Sequence, residues 1–178
     1  MKDLPSGWSV DTSNEQDDSK LTSTDPKCAA FLRYSNTDTA PGSKAMASRS
    51  FSGGQNGPYI DESFDWMGSV PASSALIKSF AASARSCHKA VVKVPGQPSS
   101  AIAIAEVSAP KFGTSPFAVR MTGTGGPFQG VEIVVVVTGI EDVVLSMTFV
   151  GATPEDVDGA TDDAATKAQR VLGGTTGS

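Results

Sequence analysis

The chain has 178 residues, of which 39% are hydrophobic and 19% charged, and its formal net charge is -5 at pH 7. This length favours one globular domain with a single core of ordinary size. The acidic balance and the scattered basic residues exclude a nucleic-acid-binding protein, because such binding depends on clustered Lys and Arg. No apolar run reaches the roughly 18 residues that a transmembrane helix requires. A membrane contact is therefore expected only through an anchor upstream of this sequence.

The beginning of the chain predicts a short strand followed by a helix. Trp8 and Val10 alternate with polar residues as in a strand, and the polar run 12–20 predicts a loop. A helix is expected over 26–36, because capping side chains precede a proline that is tolerated in the first turn. Cys28 lies on the apolar stripe of this helix.

Two strands over 44–51 and 59–67 should form a hairpin, joined by the glycine- and proline-rich segment 53–58. Side chains alternate between the two sides of a strand. In the second strand, one side is mainly apolar and consists of Ile60, Glu62, Phe64 and Trp66. The other side is polar and consists of Tyr59, Asp61, Ser63 and Asp65. The apolar side should therefore face the core.

A second helix is expected from about residue 72 to 88, with Cys87 pointing inward. Five segments rich in β-branched residues and separated by Gly or Pro then predict strands, at 90–94, 101–107, 117–122, 131–138 and 143–150. The run 133–137 is apolar on both alternations, which indicates a sheet covered on both faces at its centre. Thr153 can cap a third helix that stops at residue 173.

These elements predict an α+β domain in which a mainly antiparallel sheet of about six to seven strands packs with three helices in a layered sandwich. We expect one domain over residues 1–178, with flexible ends at 1–3 and 173–178.

The only two cysteines, Cys28 and Cys87, have no metal-ligand spacing and no C-x-x-C context. A single long-range disulfide fits them best, and it indicates an oxidising compartment outside the cytoplasm. Two separate buried thiols and a reactive thiol are the alternatives.

No catalytic constellation is recognisable, and we expect no enzymatic activity, no metal ion and no cofactor. The only histidine, His88, should satisfy carbonyl groups at the end of the second helix. The acid pairs 17–18 and 141–142 fall in predicted turns, where solvated carboxylates are common. The glycine-rich segment 123–126 lacks the lysine and the helix of a phosphate-binding loop, so it predicts a hairpin loop.

A binding surface is the remaining functional candidate. Four side chains should point away from the core and line a shared groove if their strands lie in one sheet: Tyr59, Asp61, Asp65 and Arg120. Loops 53–58 and 123–127 would form its rim. The competing interpretation is an ordinary solvated sheet face. Trp8 and Trp66 are expected in the core, where aromatic side chains usually lie.

A family resemblance rests on three segments: the entry LPSGW at 4–8, the helix start PKC at 26–28, and the helix end at 79–87 before the strand 90–94. With these segments, most of the chain resembles actinobacterial exported lipoproteins and the PknH-like extracellular sensor domains of receptor Ser/Thr kinases. A similar element order occurs in exported lipoproteins with a PsbP-like or Mog1-like fold. The kinase sensor domains carry two disulfides around a central cleft, whereas this chain has cysteines for one.

The resemblance implies an exported domain, and together with the missing catalytic constellation it predicts a non-enzymatic, sensor-like domain that is associated with the cell envelope as a lipoprotein or through a membrane segment. Its partner would be a small molecule, a lipid or an envelope component. The alternative is an adaptor that binds an envelope enzyme or a receptor kinase.

Overall fold

The computed structural model describes residues 8–12, 18–54 and 57–173. Within these ranges the chain forms nine strands: β1 (Ser9–Val10), β2 (Lys20–Thr22), β3 (Ala45–Ser52), β4 (Tyr59–Trp66), β5 (Lys89–Lys93), β6 (Ser100–Val107), β7 (Thr114–Gly123), β8 (Glu132–Ile140) and β9 (Val143–Val150). The same ranges contain three helices: α1 (Ala29–Ser35), α2 (Val70–Ser86) and α3 (Pro154–Gly173). None of the helices in these ranges is long and apolar enough to cross a membrane.

All nine strands belong to one antiparallel sheet with the order β1-β3-β4-β9-β8-β7-β6-β5-β2. The predicted α+β class and the three helices are confirmed, but the predicted six to seven strands are too few. The shortest strands, β1 and β2, have two and three residues and form the two edges of the sheet. β2 lies at the end of the run that predicted a loop, and three residues are too few for a visible alternation.

Helices cover both faces of the sheet at its centre. α1 and α2 pack on one face, which we call the cleft face, and α3 packs on the other, which we call the α3 face. β8 is the middle strand, and its successive residues Val136 and Val137 are buried against α3 and α2 respectively. The apolar run 133–137 therefore has the two-sided cover that its composition predicts.

Local capping explains where the helices begin. The side chain of Ser69 accepts a hydrogen bond from the Ala72 N–H, and Pro71 occupies the first turn of α2. At α3, the Thr153 Oγ1 accepts from the Asp156 N–H while the Asp156 carboxylate accepts from the Thr153 N–H.

Cys28 and Cys87 form a disulfide, and both residues are fully buried. Cys28 lies in a 3₁₀ turn, Pro26–Cys28, that precedes α1, and Cys87 follows the last residue of α2. The predicted pairing is confirmed, although α1 is shorter than predicted and α2 begins and ends two residues earlier than predicted. The bond joins the beginning of α1 to the end of α2, so the two helices are fixed to each other on the same face of the sheet.

Trp66 is 45% exposed, so its predicted place in the core is wrong. It is the last residue of β4, and its indole N–H donates to the Asp142 carboxylate at 2.6 Å. The Lys44 ammonium lies 5.5 Å from the ring centroid. Of the ends predicted to be flexible, residue 173 is the last residue of α3, whereas 1–3 and 174–178 lie outside the described residues.

Candidate ligand-binding cleft

A cleft of about 870 Å³ opens between the helices α1 and α2 and the cleft face of the sheet. Its volume falls within the range of roughly 300–1,000 Å³ that is usual for small-molecule sites. Phe31 and Tyr34 of α1 line it, together with Leu76, Ile77 and Phe80 of α2. The spacing of Leu76 and Phe80 places both on one side of α2, because residues four apart share a helix face.

The helices α1 and α2 form one wall of the cleft, which we call the helical wall, and an aromatic cluster links them. The Phe80 ring lies 5.9 Å from the Phe31 ring and 5.7 Å from the Tyr34 ring, centroid to centroid. Phe80 also meets Phe117 of the sheet edge to face at 5.9 Å. Such pairs add to the stabilisation from burial alone. Aromatic contacts therefore attach the helical wall to the sheet, and the disulfide links α1 to α2.

The floor of the cleft changes in character across the sheet. Strands β6 to β8 supply apolar side chains, namely Ile102, Met121, Ile133, Val135 and Val137. Strands β4 and β9 supply mainly polar ones, namely Tyr59, Asp61, Ser63, Asp65, Ser146 and Thr148. The register places Asp61 opposite Thr148 and Ser63 opposite Ser146. The cleft thus has an apolar half and a half rich in hydroxyl and carboxylate groups.

The glycine-rich segment after β7 forms part of the rim. Phe128 lines the cleft, and its N–H donates to the Ser100 Oγ at 3.1 Å. The Gly130 N–H donates to the Gly123 carbonyl at 2.9 Å, which closes the loop at its base. The loop 53–58, predicted as a second rim, includes residues 55 and 56, which lie outside the described residues.

The charged residues that line the cleft within the described ranges are all acidic: Asp38, Asp61 and Asp65. Asp65 was predicted to point away from the core, yet it is only 3% exposed. Its Oδ1 atom accepts a hydrogen bond from the Ala40 N–H at 3.2 Å. In the described part of the chain no Lys, Arg or His lines the cleft.

The structure brings together three of the four residues proposed from the sequence: Tyr59, Asp61 and Asp65 line the cleft. Arg120 does not, because its strand partner is Val134, whose side chain belongs to the α3 face. The Arg120 guanidinium lies 3.9 Å from the Glu132 carboxylate, which is the geometry of a weak exposed ion pair.

Other lining residues were missed from the sequence. Ser146 and Thr148 alternate with buried apolar residues along β9, so the period-two pattern of that strand indicated a polar side. Asp38 lies in the connection between α1 and β3, where no periodic signal exists.

Among the described residues that line the cleft there is no histidine. His88 is exposed beyond the end of α2, and its ring makes none of the hydrogen bonds to helix carbonyls that were predicted for it within the described residues. Within the same ranges, no group of three or more His, Cys, Asp or Glu side chains is arranged to hold a metal ion.

Two perturbed carboxyl groups lie elsewhere. Burial under α3 raises the pKa of Glu62, although the positive charges of Lys167 and Arg49 act in the opposite direction. The hydrogen bond from Arg85 lowers the pKa of Glu106, with an Nε–Oε2 distance of 2.7 Å. Neither carboxyl group lines the cleft.

No protein-family model matches this sequence, and no curated protein is significantly similar to it. Among solved structures, the fold is similar to the crystal structure of the extracellular domain of PknH from Mycobacterium tuberculosis, with a TM-score of 0.69. The likeness covers 93% of this chain and 86% of that chain at 14% sequence identity. The resemblance seen in the sequence is thereby confirmed at the level of the fold: the chain has the architecture of the PknH extracellular domain.

Proposed function

We propose that the chain is a non-enzymatic extracytoplasmic domain that binds a small molecule, a lipid or a cell-envelope component in the cleft beneath α1 and α2. In this proposal it acts as a sensor-like domain and is anchored to the envelope by a lipid or a membrane segment upstream. The observation that carries the proposal is the cleft itself, which combines an apolar wall with a few convergent polar groups. The disulfide supports an oxidising compartment, and the fold likeness to an extracellular domain agrees with it.

The two halves of the floor would serve different purposes in binding. An apolar part of a ligand would displace water from Ile133, Val135 and their neighbours, which contributes about 25 cal/mol per Å² of buried apolar surface. The hydroxyl and carboxylate groups of β4 and β9 would fix the orientation of the ligand. Binding rather than catalysis is supported because no histidine, lysine or free thiol lies among the described lining residues to activate a nucleophile.

The test fills the cleft and compares retention of a bound molecule. Ser63 lies at the middle of the polar floor, so Ser63→Trp should occupy the space of the ligand. Ala105 is exposed on β6, and its partner Arg120 lies on the α3 face, so Ala105→Trp is a matched control. Each protein is incubated with a cell-envelope extract, reisolated and analysed by native mass spectrometry.

We expect the wild type and Ala105→Trp to retain the same small molecule in similar amounts. Ser63→Trp should retain at least about tenfold less of it than the wild type. Retention by all three proteins would place any bound molecule outside the cleft. An empty wild-type protein would argue against a ligand-binding domain altogether.

An adaptor function is the second candidate, and the outer edge of β3 favours it. The Asp11 N–H donates to the Ser50 carbonyl and the Gly53 N–H to the Pro58 carbonyl, so even-numbered residues of β3 direct their backbone groups away from β4. β1 pairs only with residues 51 and 52 of this edge. Among the described residues, no strand lies beside the outward groups of Met46 and Ser48. An extended segment of a partner could add there as a further strand.

Ser48→Pro removes one outward N–H group while the bonds between β3 and β4 remain. Ser48→Ala is the control, since it removes the hydroxyl and keeps the N–H. If the chain binds a partner through this edge, the wild type should form chemical cross-links to one particular envelope protein. These cross-links should disappear in Ser48→Pro and persist in Ser48→Ala. Equal cross-linking of the two variants would reject the adaptor function at this edge.

A further inference from the structure

The charge of the cleft restricts what it can bind. Its charged lining residues are the three carboxylates Asp38, Asp61 and Asp65, and the described lining residues include no basic side chain. A phosphate, sulfate or carboxylate group in this space would meet like charges without a cationic partner, which is unfavourable at short range. The composition of the cleft therefore disfavours anionic lipids and anionic metabolites.

Asp65 provides a second, independent indication of the charge of the ligand. The residue is 3% exposed, and the Ala40 N–H is the one donor in the described part of the chain that reaches its carboxylate. No fully buried side-chain oxygen or nitrogen among the described residues lacks a hydrogen bond. The second oxygen, Oδ2, is therefore accessible from the cleft and has a free acceptor site. A nearly buried carboxylate with an open acceptor is stabilised by a cationic donor more than by water.

Asp61 is the second carboxylate on this side of β4 and lies closer to the opening of the cleft, because it is exposed whereas Asp65 is buried. The two acids form a row of hydrogen-bond acceptors. Asp61 lies four residues before Asp65 on β4, about 13 Å away along the strand, and its carboxylate forms no ion pair or hydrogen bond with the described residues. Ser63 lies between the two acids, and Ser146 and Thr148 lie beside them on β9. The cleft-facing side chains of β9 separate this row from the apolar side chains of β8, because β9 pairs with β4 on one side and with β8 on the other.

Building on the proposed function, we infer that the ligand of the cleft is a cationic amphiphile. Its ammonium group would lie on the row formed by Asp61 and Asp65 and donate to the open oxygen of Asp65. Its apolar chain would lie against Ile133, Val135 and Met121, which line the same cleft. The hydroxyl groups of Ser63, Ser146 and Thr148 would accept the remaining donors of the head group.

Three probes with the same alkyl chain test this inference by isothermal titration calorimetry: decylammonium, decyl sulfate and decyl maltoside, each below its micelle-forming concentration. The variants are Asp65→Asn and Asp61→Asn, and the control is Glu132→Gln. Glu132 is exposed on β8 opposite Thr122 and belongs to the α3 face, so this variant removes the same charge from the other side of the sheet. Asp65→Asn retains an oxygen for the Ala40 N–H, and Asp61→Asn changes an exposed residue, so the second variant carries the test if the first is unstable.

We expect decylammonium to bind at least about tenfold more tightly than decyl sulfate and decyl maltoside in the wild type and in Glu132→Gln. The preference should fall in Asp61→Asn and Asp65→Asn, and it should weaken as the salt concentration rises. Equal affinities for the three probes, or tighter binding of the maltoside or the sulfate, would overturn the cationic preference. The proposed function would still stand if Ser63→Trp abolished that binding.

Failure of all three probes to bind would overturn the inferred ligand class. The retention experiment with envelope extract then decides the proposed function separately, since it makes no assumption about ligand charge.

Discussion

A Cβ atom on Gly123 would overlap the carbonyl oxygen of Phe128, so the α-carbon of this glycine lies directly against the backbone of the rim loop. The Gly123 N–H donates to the Val131 carbonyl at 2.9 Å, and its own carbonyl accepts from the Gly130 N–H. This close crossing of two backbone segments turns the chain back at the end of β7. It also brings the Phe128 side chain to the cleft.

Gly123→Ala should therefore lower the free energy of unfolding by about 1–3 kcal/mol, because the backbone of the loop must move to admit a methyl group. Gly125→Ala is the matched control in the same loop. Its added Cβ would meet no atom within 4 Å, and its φ of -179° is open to any residue. The control should change stability by less than about 0.5 kcal/mol. Urea denaturation measures both, and equal effects would show that the contact with Phe128 is unimportant.

Removal of the disulfide should be the most destabilising of these changes. The bond closes a loop with a sequence separation of 59 residues, and the loss of this constraint on the unfolded chain costs about 4 kcal/mol in the chain-entropy model. We expect this loss in the double variant Cys28→Ala/Cys87→Ala by urea denaturation. Addition of a reductant during unfolding should destabilise the wild type and leave the double variant unchanged. A reductant effect on both proteins would assign the loss to another cause.

Glu62 should give a pH-dependent contribution to stability. Its pKa in the folded state is raised, mainly by burial, so folding favours the protonated form. The associated stabilisation is complete below the pKa of the unfolded state, close to 4.5, and is lost as the pH rises through the folded-state pKa. Glu62→Gln should therefore raise the unfolding temperature relative to the wild type at pH 7.

The advantage of Glu62→Gln should disappear below pH 4.5, where the wild-type side chain is also neutral. Glu132→Gln, at an exposed position on β8, is the control and should show no such gain. A lower unfolding temperature of Glu62→Gln at pH 7 would mean that the attraction of Arg49 and Lys167 outweighs the desolvation of the carboxylate.

Ser73 should fasten the first turn of α2 to the sheet. Its buried hydroxyl lies 3.1 Å from the Glu141 carbonyl, in the turn between β8 and β9, and 2.9 Å from the Val70 carbonyl. Ser73→Ala should lower the free energy of unfolding by about 1 kcal/mol. Ser86→Ala is the control, because the one hydrogen bond of that exposed hydroxyl to a described residue stays within its own helix, to the Ala82 carbonyl. If Ser73→Ala lowered the free energy of unfolding no more than the control, the proposed attachment of α2 to the sheet through Ser73 would be wrong.

The fold was predictable wherever a segment carries its own signal. The apolar run 133–137 predicted a central strand covered on both faces, and the capping residues before Pro26 predicted a helix start. β2 gave no such signal, because it has three residues and its partner β5 lies far along the chain. Trp66 was misplaced because hydrophobicity predicts burial, whereas its position at the end of a strand leaves the ring exposed.

The site was predictable along a strand and not across strands. Alternation in β4 correctly grouped Tyr59, Asp61 and Asp65 on one side. The face on which Arg120 lies depends on the order and register of distant strands, which the local sequence does not contain. The depth of Asp65 depends likewise on the connection that brings Ala40 over it.

The alternation of β4 also separates two properties along a single strand. Its odd-numbered residues line the cleft, and its even-numbered residues, such as Ile60 and Phe64, pack beneath α3. Substitutions at the odd-numbered positions would therefore change the lining of the cleft, and under the proposed function its ligand preference, while the even-numbered positions preserve the fold. A combinatorial library at 61 and 63 alone would sample new specificities on an intact scaffold.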